Sequence, residues 1–379
     1  MVDFSIAACF GILLASSWGR GFMWHGRVPP WIWFGVSAVV IDVAALTWWP
    51  VSKSYVTHRV DLLGLHGEHG PTSLISGLQW LVALFVLPTC MAALAPDKPR
   101  RLAQIISAWA WGVGVSCTVA LLDSAGVTAI SAGLIDVDYS GRQAGLGSHA
   151  NSLGVSALLA FPIATWIARR HAKRGVLLQT LLVVGIVLSG SRGAQALLVV
   201  VMVGMALVLP HARRPLAILG LVALVAAPLA MQAIGGLETI QGTLLRFGNN
   251  EGGADSNAER TAVALQGLAD FSQRPIFGVG LNQITYAHNI YLQMLSAGGV
   301  VLLTGILLLL ASVVWEGIRS SELSVLGLYC VISVGIWIVL GLVENSLVDR
   351  FLYFPIGVIA GLSILRGQRA RPSALGTLA

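Results

Sequence analysis

The chain has 379 residues, of which 56% are hydrophobic and only 11% charged, with a mean hydropathy of +0.81 and a formal net charge of +6. That balance excludes both a soluble globular domain, in which about 25% of residues are charged, and a disordered chain. The positive charge does not mark a nucleic-acid-binding protein, because the basic clusters are short and lack interleaved aromatics.

Apolar windows of roughly 20 residues, enough to cross a hydrocarbon core about 30 Å thick, recur from end to end. They predict about eleven spans, near residues 4–18, 30–51, 73–95, 101–122, 149–168, 175–189, 193–210, 215–234, 289–315, 323–343 and 351–366. The fold class expected is therefore all-α, a polytopic transmembrane helix bundle forming a single integral membrane domain over residues 1–379. The first residues have no basic segment and no Ala-x-Ala site, so no cleavable leader is expected. Cys9, Cys90, Cys117 and Cys330 lie in or beside apolar spans, which argues against a disulfide framework or a metal site.

The loops sort by charge. Arg20 and Arg27, Lys98 to Arg101, Arg169 to Arg174, Arg213 and Arg214, Arg319, and Arg366 to Arg371 fall in alternating connections, which the positive-inside rule assigns to the cytoplasm. Most carboxylates fall in the other set. A few arginines remain on the acidic, external side: Arg59, Arg142, Arg192, Arg246, Arg260, Arg274 and Arg350.

Three external segments deliver polar groups to the membrane boundary. The Gly- and Asp-rich loop 123–148 brings Arg142 to the start of a span, and the turn Ser-Gly-Ser-Arg-Gly at 189–193 holds Arg192 between two apolar helices. The large loop 235–288 is expected to carry a short amphipathic, interfacial helix near 257–273, ended by Arg274-Pro275 and bearing Arg260, with Ala264, Leu268 and Phe271 on one stripe. An arginine buried in hydrocarbon costs roughly 2.5–3.5 kcal/mol, so each must snorkel or face a polar cavity. For Arg192 the alternatives are lipid headgroups or a diphosphate clamp, since a guanidinium fork matches phosphate oxygens. For Arg260 they are the same clamp or a helix salt bridge, and for Arg142 an anion site or a structural role. His288 opens a span in a polar context, where neutral imidazole can accept a proton from a sugar hydroxyl or simply cap the helix. Asn289 beside it can orient a substrate or cap. Asp136-Val-Asp138 and the group His58, His66, Glu68 and His69 have metal-binding composition, but read better as solvated loop.

In order along residues 140 to 365, GRQAGLGSHANSLGVSALLAFP, LSGSRGAQALLVV, ERTAVALQGLADFSQRPIFGVG and AHNIYLQMLSAGGVVLL resemble four motifs of the O-antigen ligase and Wzy-type polymerase superfamily of bacterial membrane glycosyltransferases. The resemblance implies a GT-C-type, inverting, metal-independent enzyme of the inner membrane with its site facing the periplasm and no cofactor. The implied donor is a glycan on polyprenyl (undecaprenyl) diphosphate. The implied acceptor is lipid A-core for a ligase, or a second lipid-linked repeat for a polymerase of O-antigen, capsule or exopolysaccharide. It also implies Arg192, Arg260 and Arg142 as diphosphate-binding residues, His288 as the catalytic residue, and Asn289, Glu344 and Asp349 as acceptor-binding or orienting groups. Two features depart from the family: Ala262-Val263-Ala264 stand where an aromatic is common, and only seven residues separate Gly280 from His288. A lipid-linked glycan transporter is the rival reading, and Asp42, the charged residue inside a span, is its candidate.

Overall fold

The computed structural model describes residues 28–52, 54–55, 73–95, 99–131, 142–147, 149–233, 251–281, 288–344 and 353–369. The expected span near 4–18, the histidine-rich loop with His58, His66, Glu68 and His69, the pair Asp136 and Asp138, and Asp349 lie outside the described residues.

Among the described residues every regular element is a helix. We number them α1 (Ile32–Trp48), α2 (Ser73–Leu81, continued through a π-helical turn Val82–Val86 into Leu87–Leu94), α3 (Pro99–Ser124), α4 (Ala150–Arg170), α5 (Ala172–Ser189), α6 (Arg192–Val208), α7 (Pro210–Ala233), α8 (Glu251–Gln273), α9 (Ile290–Ser320), α10 (Leu326–Leu340) and α11 (Tyr353–Arg369). Helices α2, α3, α4, α5 and α9 are long and apolar enough to cross a membrane, and α1, α6 and α10 are shorter apolar helices. The chain is a polytopic helical membrane protein.

Helix α4 is the axis of the bundle. It is buried without a break from Leu153 to Ala168, as expected for a helix apolar on all sides, and it packs against α3, α5 and α10. In such surroundings helices are held by close packing and by occasional polar links. Two such links are on α4: Gln179 Nε2 donates to Thr165 Oγ1 at 2.8 Å, and Ser333 Oγ donates to the Leu159 carbonyl at 2.8 Å.

Helix direction assigns the two ends. The start of α3, the turns α4–α5, α6–α7 and α9–α10, and the end of α11 form one end and carry Arg100, Arg101, Arg169, Arg170, Lys173, Arg174, Arg213, Arg214, Arg319 and Arg366. Trp166 and Trp315 stand there beneath Arg170 and Arg319, with ring-to-guanidinium distances of 4.6 and 5.7 Å. The opposite end holds the start of α4, the α5–α6 turn, the start of α9 and the end of α10.

Helix α9 is broken. Gly299 takes φ +62°, ψ −157°, and the segment after α8 is spliced into the gap. Val279 and Gly280 N–H groups donate to the Ser296 and Ala297 carbonyls at 2.8 and 2.9 Å, while Val300 and Val301 N–H groups donate to the Pro275 and Ile276 carbonyls at 2.8 and 3.2 Å. A side chain at Gly299 would collide with the Ile276 carbonyl, and one at Gly278 with the Ala297 carbonyl. The Pro-x-x-Gly-x-Gly motif is thus a backbone joint between α8 and α9: it satisfies the groups that the break frees, which is the condition for a broken helix in lipid. Asp42 of α1 is fully buried against Gly298 at this joint, and its carboxylate oxygens have no hydrogen-bond partner among the described residues.

Helix α8 docks on α9 through a polar face. Leu268 is 52% exposed and Leu265 61% exposed. The docked face is Gln266, Gly267 and Asp270: Gly267 lies against Leu292, and Asp270 Oδ1 accepts from Tyr55 Oη and Gln266 Nε2, each at 2.8 Å. Polar contacts and a close glycine approach, invisible to a search for apolar periodicity, fix this helix. Arg274 Nη1, which donates to the Trp49 carbonyl, secures its end to the chain after α1.

Candidate active site

The turn between α5 and α6 builds the first part of the site. Gly190 adopts φ +62°, a left-handed cap that ends α5, and Ser191 caps α6 by accepting from the Ala194 N–H at 3.3 Å. Arg192 is the first residue of α6. It is half-buried and makes no hydrogen bond or ion pair with any other described residue.

Arg142 lies across this turn. Its Nε donates to the Ser189 carbonyl at 2.8 Å, and its Nη2 donates to Asn151 Oδ1. Asn151 Nδ2 then donates to Glu344 Oε2 at 3.1 Å, and Ser191 Oγ donates to Glu344 Oε1 at 2.9 Å. A ring of hydrogen bonds therefore joins the loop before α4, the first turn of α4, the α5–α6 turn and the chain after α10. The amide orientation of Asn151 is fixed by chemistry, since arginine only donates and a carboxylate only accepts. Glu344 is 5% exposed, and its two oxygens serve Asn151 and Ser191. The resemblance implied Glu344 as a group that orients His288 or binds the acceptor; the His288 Nδ1 is buried with no hydrogen-bond partner among the described residues.

His288 belongs to the start of α9. Asn289 is the cap of that helix, its side-chain oxygen accepting from the Tyr291 and Leu292 N–H groups at 3.0 and 3.1 Å. The Ile290 N–H donates to the Gly341 carbonyl at 2.8 Å, so the start of α9 is pinned to the end of α10, a few residues before Glu344. Within this frame His288 has φ +48°, a left-handed conformation that a non-glycine residue keeps only when its surroundings enforce it. Burial, then the charge of Arg260, then that of His149, push its imidazole down to about 4, so the ring is neutral at physiological pH. Arg260 of α8 thus stands close enough to act on His288 through its field, and like Arg192 it has no hydrogen bond or ion pair with another described residue.

His149 completes the cluster and was not singled out from sequence. It caps α4, accepting from the Asn151 N–H at Nδ1, so its neutral ring carries the proton on Nε2. Burial, then Arg142, lower its basicity. Its signal was present in the Ser-His-Ala-Asn stretch, a histidine and an asparagine opening a span on the same side as Arg142.

Six of the sequence-derived candidates, Arg142, Arg192, Arg260, His288, Asn289 and Glu344, therefore gather at one end of the bundle, and Asp349 lies outside the described residues. No group of three or more His, Cys, Asp or Glu side chains able to hold a metal ion occurs among the described residues, and Cys90, Cys117 and Cys330 are free.

The class that the fold and this cluster define is a polytopic membrane protein with a cationic, histidine-bearing site at one rim. Residues 177–307 match the family model described as O-antigen ligase. The match includes Arg192, Arg260 and His288, whereas Arg142, His149, Asn151 and Glu344 flank it. No curated protein matches the chain.

Proposed function

We propose that this protein is a membrane glycosyltransferase that moves a glycan from a polyprenyl diphosphate carrier to an acceptor hydroxyl on the outer face of the cytoplasmic membrane, as an O-antigen ligase. One observation carries the reading. Arg192 and Arg260 present guanidinium groups with no partner among the described residues, at the rim where neutral His288 stands, all within the stretch matched to O-antigen ligases.

The acceptor oxygen attacks the anomeric carbon as the bond from that carbon to the phosphate oxygen breaks, with inversion. The diphosphate leaves with the electron pair, and its growing charge falls between Arg192 and Arg260, which do by fixed positive charge what a divalent cation does elsewhere. His288 first accepts a hydrogen bond from the acceptor hydroxyl and aims it, then takes the proton as attack makes that oxygen acidic. A diphosphate on Arg260 offsets the field that depresses His288, so the base strengthens when donor is in place. In this reading Arg142 and Glu344 brace the turn that presents Arg192, and Asn289 sets the direction of His288.

The test is transfer by the purified protein in nanodiscs, given a defined lipid-linked glycan with either lipid A-core or a second lipid-linked repeat as acceptor, with and without chelator. Transfer to lipid A-core is expected, insensitive to chelator and abolished by Arg192→Ala, Arg260→Ala or His288→Ala. Joining of two lipid-linked repeats instead makes the protein a polymerase. Transfer to neither acceptor refutes the proposal, and loss of activity with chelator refutes its metal-free form.

A further inference from the structure

A cavity of about 690 Å³ lies away from the candidate active site. It lies at the opposite, basic end, between the first two turns of α3, the last turn of α4, the α9–α10 turn and the last turns of α11. Its lining divides into two halves. Arg100 and Arg170 form a cationic rim with His171 beside them, all exposed, and none of the three side chains makes a hydrogen bond or an ion pair with another described residue. Gln104 and Ser107 add polar groups just inside. The inner wall is apolar, built from Leu102, Leu326, Leu362 and Leu365.

Two helix N-termini, those of α3 and α10, open on the same space. Their dipoles add to the positive potential of the rim. Trp166 lines the cavity with Arg170 stacked over its ring at 4.6 Å, which holds that guanidinium at the rim. An amphipathic side chain of this kind settles at the level of lipid headgroups. A small soluble anion would use the rim alone and leave the leucine wall facing water. Only a ligand with an anionic head and an apolar tail uses both halves.

We propose that this cavity is a binding site for an anionic phospholipid, with the phosphodiester between Arg100, Arg170 and His171 and the first part of an acyl chain along Leu102, Leu326, Leu362 and Leu365. Both arginines are exposed, so their replacement leaves the bundle intact. The site lies on the far side of the bundle from Arg192 and His288, and lipid binding there does not depend on the reaction proposed above.

The full chain is delipidated in a neutral detergent and titrated with phosphatidylglycerol, phosphatidylcholine or inorganic phosphate, with bound lipid counted by native mass spectrometry. The wild type is expected to prefer phosphatidylglycerol and to ignore inorganic phosphate. Each arginine near an anionic headgroup is worth about fivefold, so Arg100→Gln with Arg170→Gln should weaken phosphatidylglycerol roughly 30-fold and abolish the preference. Arg214→Gln removes a similar charge from the same end outside the cavity and should change nothing. Ala103→Trp fills the cavity, keeps every charge, and should also lose the lipid. Equal affinity for phosphatidylcholine in the wild type, a retained preference in the double variant, a matching loss in Arg214→Gln, or competition by inorganic phosphate at similar affinity would each overturn the assignment.

Discussion

Arg260 controls the basicity of His288, and the size of that control follows from the site. An ordinary histidine titrates near 6.5, and His288 is pushed down to about 4. Burial is the largest of its three causes and the Arg260 charge the second, so removing Arg260 returns less than half of the difference. Arg260→Gln should therefore raise the His288 midpoint by up to about one pH unit, to near 5. The direct assay is proton NMR of histidine-labelled protein in nanodiscs without donor, which does not require an active variant. In the proposed transfer, with His288 as base, the acid limb of kcat/KM should follow the same midpoint, since it reports the free enzyme. Arg274→Gln, at the anchored end of α8, is the control and should leave His288 near 4. The linkage has a definite sign: the unfolded chain binds a proton on this ring below 6.5 and the folded chain does not until about 4, so stability falls as pH drops through that window and is regained above it. A wild-type midpoint near 6.5, or an unchanged midpoint in Arg260→Gln, would refute the reasoning.

Other substitutions test the frame. Glu344→Ala removes the acceptor of two buried hydrogen bonds to a carboxylate and should lower stability by about 2–4 kcal/mol, seen in thermal unfolding in detergent, with Glu344→Gln losing roughly half as much. Gly299→Ala forces a side chain against the Ile276 carbonyl at φ +62° and should cost about 2 kcal/mol or more, with faster amide exchange at Val279 and Val300 as the specific sign that the joint has opened. Asn289→Ala should cost about 1 kcal/mol as a lost cap and lower kcat more than it raises KM, because the direction of His288 changes while the arginines stay in place.

Long-range structure marks the line between what could be read from the chain and what could not. Helix bounds followed from apolar windows, so α3 at Pro99–Ser124 and α4 at Ala150–Arg170 lie within two residues or so of the predicted spans. Arg192 and His288 were legible as costly polar groups at span ends. The bond from Asn151 to Glu344 joins residues 193 apart, and neither residue type announces such a partner. His149 was hidden for the same reason: its value lies in the field it shares with Arg142 and His288. The break in α9 was masked by hydrophobicity, because Gly298 and Gly299 sit in a run that reads as one apolar helix. The docked face of α8 could not be read from the apolar stripe, because a carboxylate held by Tyr55 and Gln266 fixes it.

The break in α9 also sets a height. The helix has 31 residues, about 46 Å if straight, against a hydrocarbon core of about 30 Å. From Val300 to Ser320 the inner rod is about 31 Å long, a length close to that thickness. The outer rod, from Ile290 to Gly298, is about 13–14 Å long, and His288 stands just before its far end. A carrier with its tail in lipid and its diphosphate at the boundary would raise its first sugar toward that level. The joint at Gly299 is in this sense a depth gauge: a break one turn earlier or later would move His288 by about 5 Å along the bundle axis.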